Sequence, residues 1–184
     1  KAPWTMTIGK YAGVLLIASV IGYFSSRPVL MTYYDTTATK SNTLTENSQD
    51  VVAKMEGGLT ITTYVNALDL NDLWTALPSQ VKRDQDRFRQ YVRFKPEIKM
   101  KYVYYYDETP NPDLDRRFPD KTLREKMCEI CKVYGLDSNR FMSPKEIRAK
   151  IDLSGEKNTF VRQIARDNGE KAWLRIYNDM QRFP

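Results

Sequence analysis

Between Leu59 and Asp107 the chain leaves little freedom of fold. The stretch opens with LTITTYV (59–65), closes with IKMKYVYYYD (98–107) and carries VKRDQDRFRQYVRF (81–94) between them. The outer runs are rich in β-branched and aromatic residues and alternate in polarity, the pattern of half-buried strands. In the middle run Val81, Phe88, Tyr91 and Val92 recur at helical spacing, with charge on the other faces. A helix is expected over 79–94, with Ser79 as its N-cap and an end before Pro96. Strand, amphipathic helix and strand in that order make a βαβ unit.

A second strong signal lies near the other end. TFVRQIAR (159–166) and EKAWLRIY (170–177) flank Asp167-Asn168-Gly169, which predicts a β-hairpin. Between the two signals, residues 122–137 read as a helix ended by Gly135. Residues 142–151 read as a short helix with Ser143 as N-cap and Pro144 at its first position. The Pro/Asp-rich segment 107–121 reads as a loop. A βαβ unit followed by a hairpin predicts a thioredoxin-like α/β domain, a mixed four-stranded sheet flanked by helices. Its last helix would begin near Asn178.

Upstream, YAGVLLIASVIGYF (11–24) carries no charge, and the apolar character resumes as VLMTYY (29–34). A spanning helix needs about 20 residues. Tyr11 to Tyr34 suffices if Arg27 reaches back to the interface, with Tyr23, Tyr33 and Tyr34 in an aromatic belt. A transmembrane anchor over 1–34 is therefore expected; a signal-peptide core and a buried helix are the other readings of the same run. Lys1 and Lys10 precede the segment, which places the N-terminal side in the cytoplasm and the bulk of the chain outside. Residues 35–58 form a polar connector and a short helix, capped by Thr45 or Asn47, with Val51, Val52 and Met55 on one face and Gly57-Gly58 at its end. The domain proper then runs 59–184. Beginning at Lys1 and stopping at Pro184 soon after a strand, the chain reads as a piece of a longer or processed protein, truncated at its C-terminus.

The chemistry in the sequence is sparse. There are 29 Lys+Arg against 23 Asp+Glu and no His. Without His the usual neutral-pH base and the commonest metal ligand are missing. Cys128 and Cys131 form a C-x-x-C, but mid-helix, where the dipole does little to lower a thiol pKa. They read as buried structural cysteines; a thiol-disulfide oxidoreductase built on them is the alternative. Asp107, Glu108, Asp113, Asp115 and Asp120 do not match a calcium loop. No metal, cofactor or catalytic residue is therefore expected. Lys99 and Lys101 beside Tyr102–Tyr106 suggest a nucleic-acid-binding strand as a second alternative, but charges of both signs alternate along most segments and no nucleic-acid motif accompanies them. Leu68, Leu70, Leu73, Trp74 and Leu77 sit in a segment of loop composition. They either fold back over the sheet or form a partner-binding surface.

The succession of a membrane helix, a helix start at NTLTENSQDVVAKM, GGLTITTYV and a helix ending before IKMKYVYYYD resembles the auxiliary, gliding-motility-associated type of extracytoplasmic component in ABC transport systems. The likeness covers roughly residues 11–110 and, more loosely, the hairpin. It implies a non-catalytic, membrane-anchored domain on the periplasmic side of the inner membrane. Such a domain would dock substrate or partner beside an ABC permease and ATPase, in export or envelope assembly. No glycine-rich P-loop occurs in this chain, so the ATPase would be another chain or region. Nucleic acid is not an implied partner.

Overall fold

A computed structural model describes residues 4–27, 43–70 and 73–175. The expected apolar run 29–34, the connector 35–42, Ile176 and the expected last helix near Asn178 lie outside the described residues. The chain divides into two compact units, Lys1–Ala53 with Gln90–Pro96, and Lys54–Arg89 with Glu97–Pro184.

In the first unit, α1 spans Trp4–Ser25. Its 22 residues make a rod of about 33 Å, enough to cross a hydrocarbon core of about 30 Å. The stretch Ile8–Ser25 is long and apolar enough to cross a membrane, and none of it is buried. The helix lies earlier than the expected Tyr11–Tyr34 segment. Residues 4–10, expected as a flank, already form its first turns, because Trp4, Ile8 and Gly9 add no charge before Lys10. Arg27 follows the helix and stacks over the Tyr23 ring at 4.2 Å. The short helix α2, Glu46–Lys54, is capped by Thr45, whose hydroxyl accepts from the Ser48 N–H. Asn47 lies inside it. Val52 is buried, whereas Val51 faces solvent, one residue and about 100° further round the helix.

The second unit is built on a four-stranded mixed sheet. β1 (Leu59–Asn66) pairs in parallel with β2 (Ile98–Tyr105), with Leu59 opposite Ile98 and Asn66 opposite Tyr105. β1 also pairs antiparallel with β3 (Val161–Arg166), and β3 with β4 (Lys171–Arg175). The strand order is β2-β1-β3-β4, so the expected βαβ unit and hairpin join into one sheet with β1 and β3 central. In the hairpin Gly169 has φ 92°, the left-handed conformation that the Asn-Gly turn signalled.

Helices flank the sheet. α3 (Val81–Phe94) starts at Val81, so Ser79 lies in the turn before it and is not its cap. Its fully buried residue is Asp84, not one of the expected apolar positions, and Tyr91 is exposed. The segment 107–121 is not all loop. It contains α4 (Pro112–Arg117), with the Asn111 side chain accepting from the Leu114 N–H and Pro112 at the first position. α5 (Leu123–Tyr134) begins with a capping box of Thr122 and Glu125 and ends at Gly135, φ 63°. α6 (Pro144–Lys150) has Glu146 accepting from both the N–H and the hydroxyl of Ser143. The larger core joins Val65 of β1 to Met127, Ile130 and Cys131 of α5, with Leu68, Leu73, Leu77 and Phe141. The opposite face buries Tyr64, Tyr105 and Val161 against Ile147 of α6 and Leu153.

Candidate functional site

The carboxyl ends of the parallel strands β1 and β2 open into a cleft of about 500 Å³. In α/β sheets ligands favour this end of the strands, and the volume is that of a small-ligand site. Leu68, Leu114 and Leu123 supply apolar wall. Thr109, Lys126, Arg148, Lys157 and Asn158 supply polar groups, with Glu108 and Asp115 opposite in charge.

Three loops are stitched together at the cleft's base. Asn66 is buried at the end of β1. Its amide N–H groups donate to the carbonyls of Asp107 (2.9 Å) and Asn158 (2.8 Å). Its side-chain oxygen accepts from the N–H groups of Leu68 (3.0 Å) and Asp107 (3.3 Å). Asn158 in turn donates to the Glu108 carbonyl, and Asn111 to that of Leu68. Asp69, in the loop after β1, accepts from the Phe160 N–H at 2.8 Å. Both Lys157 and Asn158 sit at φ 53°, a conformation that non-glycine residues hold only where surrounding bonds fix it. Here the Asn158 carbonyl takes bonds from Asn66 and the Tyr105 hydroxyl, and its N–H reaches the Leu153 carbonyl.

The charges at the cleft are largely paired. Asp107 is buried and holds the Arg148 guanidinium through both carboxylate oxygens, at 2.7 and 2.6 Å. Lys126, itself nearly buried, bonds Asp115 at 2.7 Å. The Thr109 hydroxyl oxygen is buried with no hydrogen-bond partner among the described residues. The walls therefore offer apolar contact, a spare hydroxyl and exchangeable ion pairs, which suits recognition. Among the described residues no group of three or more His, Cys, Asp or Glu is placed to hold a metal ion.

No protein-family model, curated protein or solved structure matches this chain.

The residues singled out in the sequence are placed as follows. Leu68, Leu73 and Leu77 are buried and Leu70 packs on the same core, so the segment folds back over the sheet. Leu73–Ala76 forms a 3₁₀ turn. Trp74 alone of the five is more than half exposed. Leu68 also reaches the cleft wall; the others do not line it. The place after β1, Ala67 to Asp69, holds no thiol. Cys128 and Cys131 lie within α5 as free thiols; the Cys131 thiol bonds the Met127 sulfur at 3.4 Å. Burial, with Cys128 and Asp137 nearby, pushes the Cys131 thiol up to about 11. It is therefore protonated, not a thiolate nucleophile, at neutral pH. Lys99 and Lys101 point to the opposite face from Tyr102 and Tyr104, since neighbouring strand positions alternate. The two tyrosine hydroxyls are engaged, with Asp84 and with the Ala76 carbonyl.

Sequence reasoning did not single out Asn66, Lys126, Arg148 or Asn158. No short motif links them, because they come from four separate elements. The available signal was Asn66 itself, an amide closing a strand at the point where a ligand-binding end is expected.

Proposed function

We propose that the chain is a non-catalytic, membrane-anchored docking domain with a thioredoxin-like fold. It serves an ABC transport complex from the extracytoplasmic, periplasmic side of the inner membrane, in export or envelope assembly. The observation that carries the anchoring is the bare surface of α1. Val14, Leu15, Leu16 and Ile17 are consecutive, point in four directions about 100° apart, and are all exposed. Apolar surface on every side of an isolated helix is satisfied by lipid. Docking rather than catalysis is supported by the absence of a thiol after β1, where a redox thioredoxin carries its reactive cysteines, by the raised Cys131 pKa and by a cleft whose charges are mostly paired. The cleft beside 107–121 is the docking site in this reading. The transport partners, permease and ATPase, rest on the resemblance of the 11–110 pattern.

The test is a pair of reporter fusions after Arg175, alkaline phosphatase and green fluorescent protein, with alkaline extraction of membranes. Phosphatase activity, a dark fluorescent fusion and retention in the extracted membrane are expected. A bright fluorescent fusion or release by alkali overturns the reading.

A further inference from the structure

Among the described residues, the sheet face that carries α6 is covered over only part of its length. The row nearest α6 is Val103, Tyr64, Val161 and Arg175 across the four strands, with Arg175 at its exposed end. Tyr64 and Val161 there are buried against Ile147 and Leu153. The two rows beyond it read Lys101, Thr62, Gln163, Trp173 and then Lys99, Thr60, Ala165, Lys171. All eight positions are exposed or only half-buried. No carboxylate stands in either row. Lysines occupy the two edge strands, and Thr60, Thr62, Ala165 and the longer Gln163 lie between them on the central strands. Three strand spacings separate Lys99 from Lys171, about 14 Å. A helix with its side chains is about 10 Å wide.

We propose that these two rows are the seat of an acidic amphipathic helix from a partner protein. The helix would lie on the Thr60, Thr62, Ala165 floor beside α6, with acidic side chains along both flanks facing Lys99 and Lys101 on one edge and Lys171 on the other. Charge complementarity specifies the acidic partner, and layering specifies the helix, since an α/β sheet buries its faces under helices. Single-stranded nucleic acid fits less well. It needs aromatic platforms, and the one aromatic in the two rows, Trp173, packs its ring against Tyr64 with centroids 6.4 Å apart. An anionic bilayer gains about 1 kcal/mol per lysine, and a flat surface makes no use of the channel between the lysine edges. The surface is distinct from the cleft of the proposed docking function.

The experiment uses the full chain in nanodiscs of neutral lipid. The probe is a fluorescent, alanine-centred helical peptide of about 18 residues with glutamates along both flanks. The controls are the same peptide with lysines for glutamates, oligouridylate, and phosphatidylglycerol vesicles. Salt-sensitive binding of the acidic peptide is expected, weakened about tenfold or more in Lys99→Glu/Lys101→Glu/Lys171→Glu. It should fall less in the Gln equivalents. Unchanged near-ultraviolet circular dichroism shows that the variants remain folded. The proposal is overturned if the acidic peptide does not bind, if the basic peptide binds equally, or if the triple variant binds as tightly as the parent. It is also overturned if oligouridylate or the vesicles bind in a lysine-dependent way and the acidic peptide does not. None of these outcomes bears on membrane topology, so it fails or stands separately from the anchoring reading.

Discussion

Arg162 of β3 and Asp84 of α3 form a bidentate ion pair inside the domain, Nη1 to Oδ2 and Nη2 to Oδ1, each at 2.7 Å. Both side chains are almost wholly buried. Nη1 also donates to Thr63 Oγ1, and the Tyr102 hydroxyl donates to Asp84 Oδ2 at 2.7 Å. The rings of Phe88 and Phe160 lie 5.2 and 5.1 Å from the guanidinium carbon. The pair thus ties α3 to three strands of the sheet. Removing one partner leaves a desolvated charge, so Asp84→Leu or Arg162→Met should each cost about 3–5 kcal/mol. Asp84→Leu with Arg162→Met should cost far less than the sum. Urea unfolding of the four proteins checks this; additive losses would show that the pair is not coupled.

Gly58 and Asp167 hold the start of β1 to the hairpin turn. The Gly58 N–H donates to Asp167 Oδ2 at 2.7 Å, and the Asp167 N–H donates to the Gly58 carbonyl at 3.0 Å. A Cβ on residue 58 would stand 2.6 Å from that Oδ2. Gly58→Ala must therefore push the carboxylate away and break the bond, a loss of about 1–2 kcal/mol. In an Asp167→Ala background the clash is gone, and Gly58→Ala should be close to neutral. A double-mutant cycle by thermal unfolding measures the difference; an equal cost in both backgrounds refutes the contact.

Residues whose chemistry agrees with their position were legible in the sequence, and those set by distant partners were not. The four strands, the hairpin turn at Gly169, the Gly135 end of α5 and the Ser143 start of α6 follow from alternation and cap chemistry within a few residues. The helix α4 was hidden because Asp and Pro in 107–121 look like loop formers. Pro112 and Asn111 were in fact start signals. Asp84 looked like one more surface charge on a charged helix, and only its partner 78 positions away makes it the buried residue of α3. The cleft was illegible for the same reason, since Asn66, Lys126, Arg148 and Asn158 share no local pattern.

The Cys131 thiol should be inert while Cys128 is the more reachable of the two. Burial raises Cys131 to about 11, so the thiolate fraction at neutral pH is very small. With a thiol-specific reagent near pH 8, one group should react in the folded protein and the second only on unfolding. In Cys128→Ser the fast reaction should disappear. A fast reaction that survives this substitution would place the reactive thiol at Cys131 and reopen thiol chemistry for α5.

Alkaline stability follows from tyrosines on the sheet. Burial pushes Tyr104 up to about 12. Burial also raises Tyr64 and Tyr105, and it raises Tyr102 together with the bond to Asp84. In the unfolded chain a tyrosine loses its proton near pH 10. The folded state therefore binds more protons than the unfolded state above that pH, and stability falls as pH rises. The contribution is complete below about pH 10 and is lost as pH climbs through the folded values. The Cys131 thiol, raised to about 11, adds a smaller fall that begins near pH 8.5, and thermal midpoints should fall steeply from pH 10 toward 12. The appearance of tyrosinate absorbance for these residues should coincide with loss of the far-ultraviolet helix signal. Tyr104→Phe, which has no proton to lose, should make the fall shallower while lowering the plateau by about 1 kcal/mol for the lost bond to the Ala76 carbonyl. A slope unchanged by Tyr104→Phe would show that this residue titrates alike in the folded and unfolded chain.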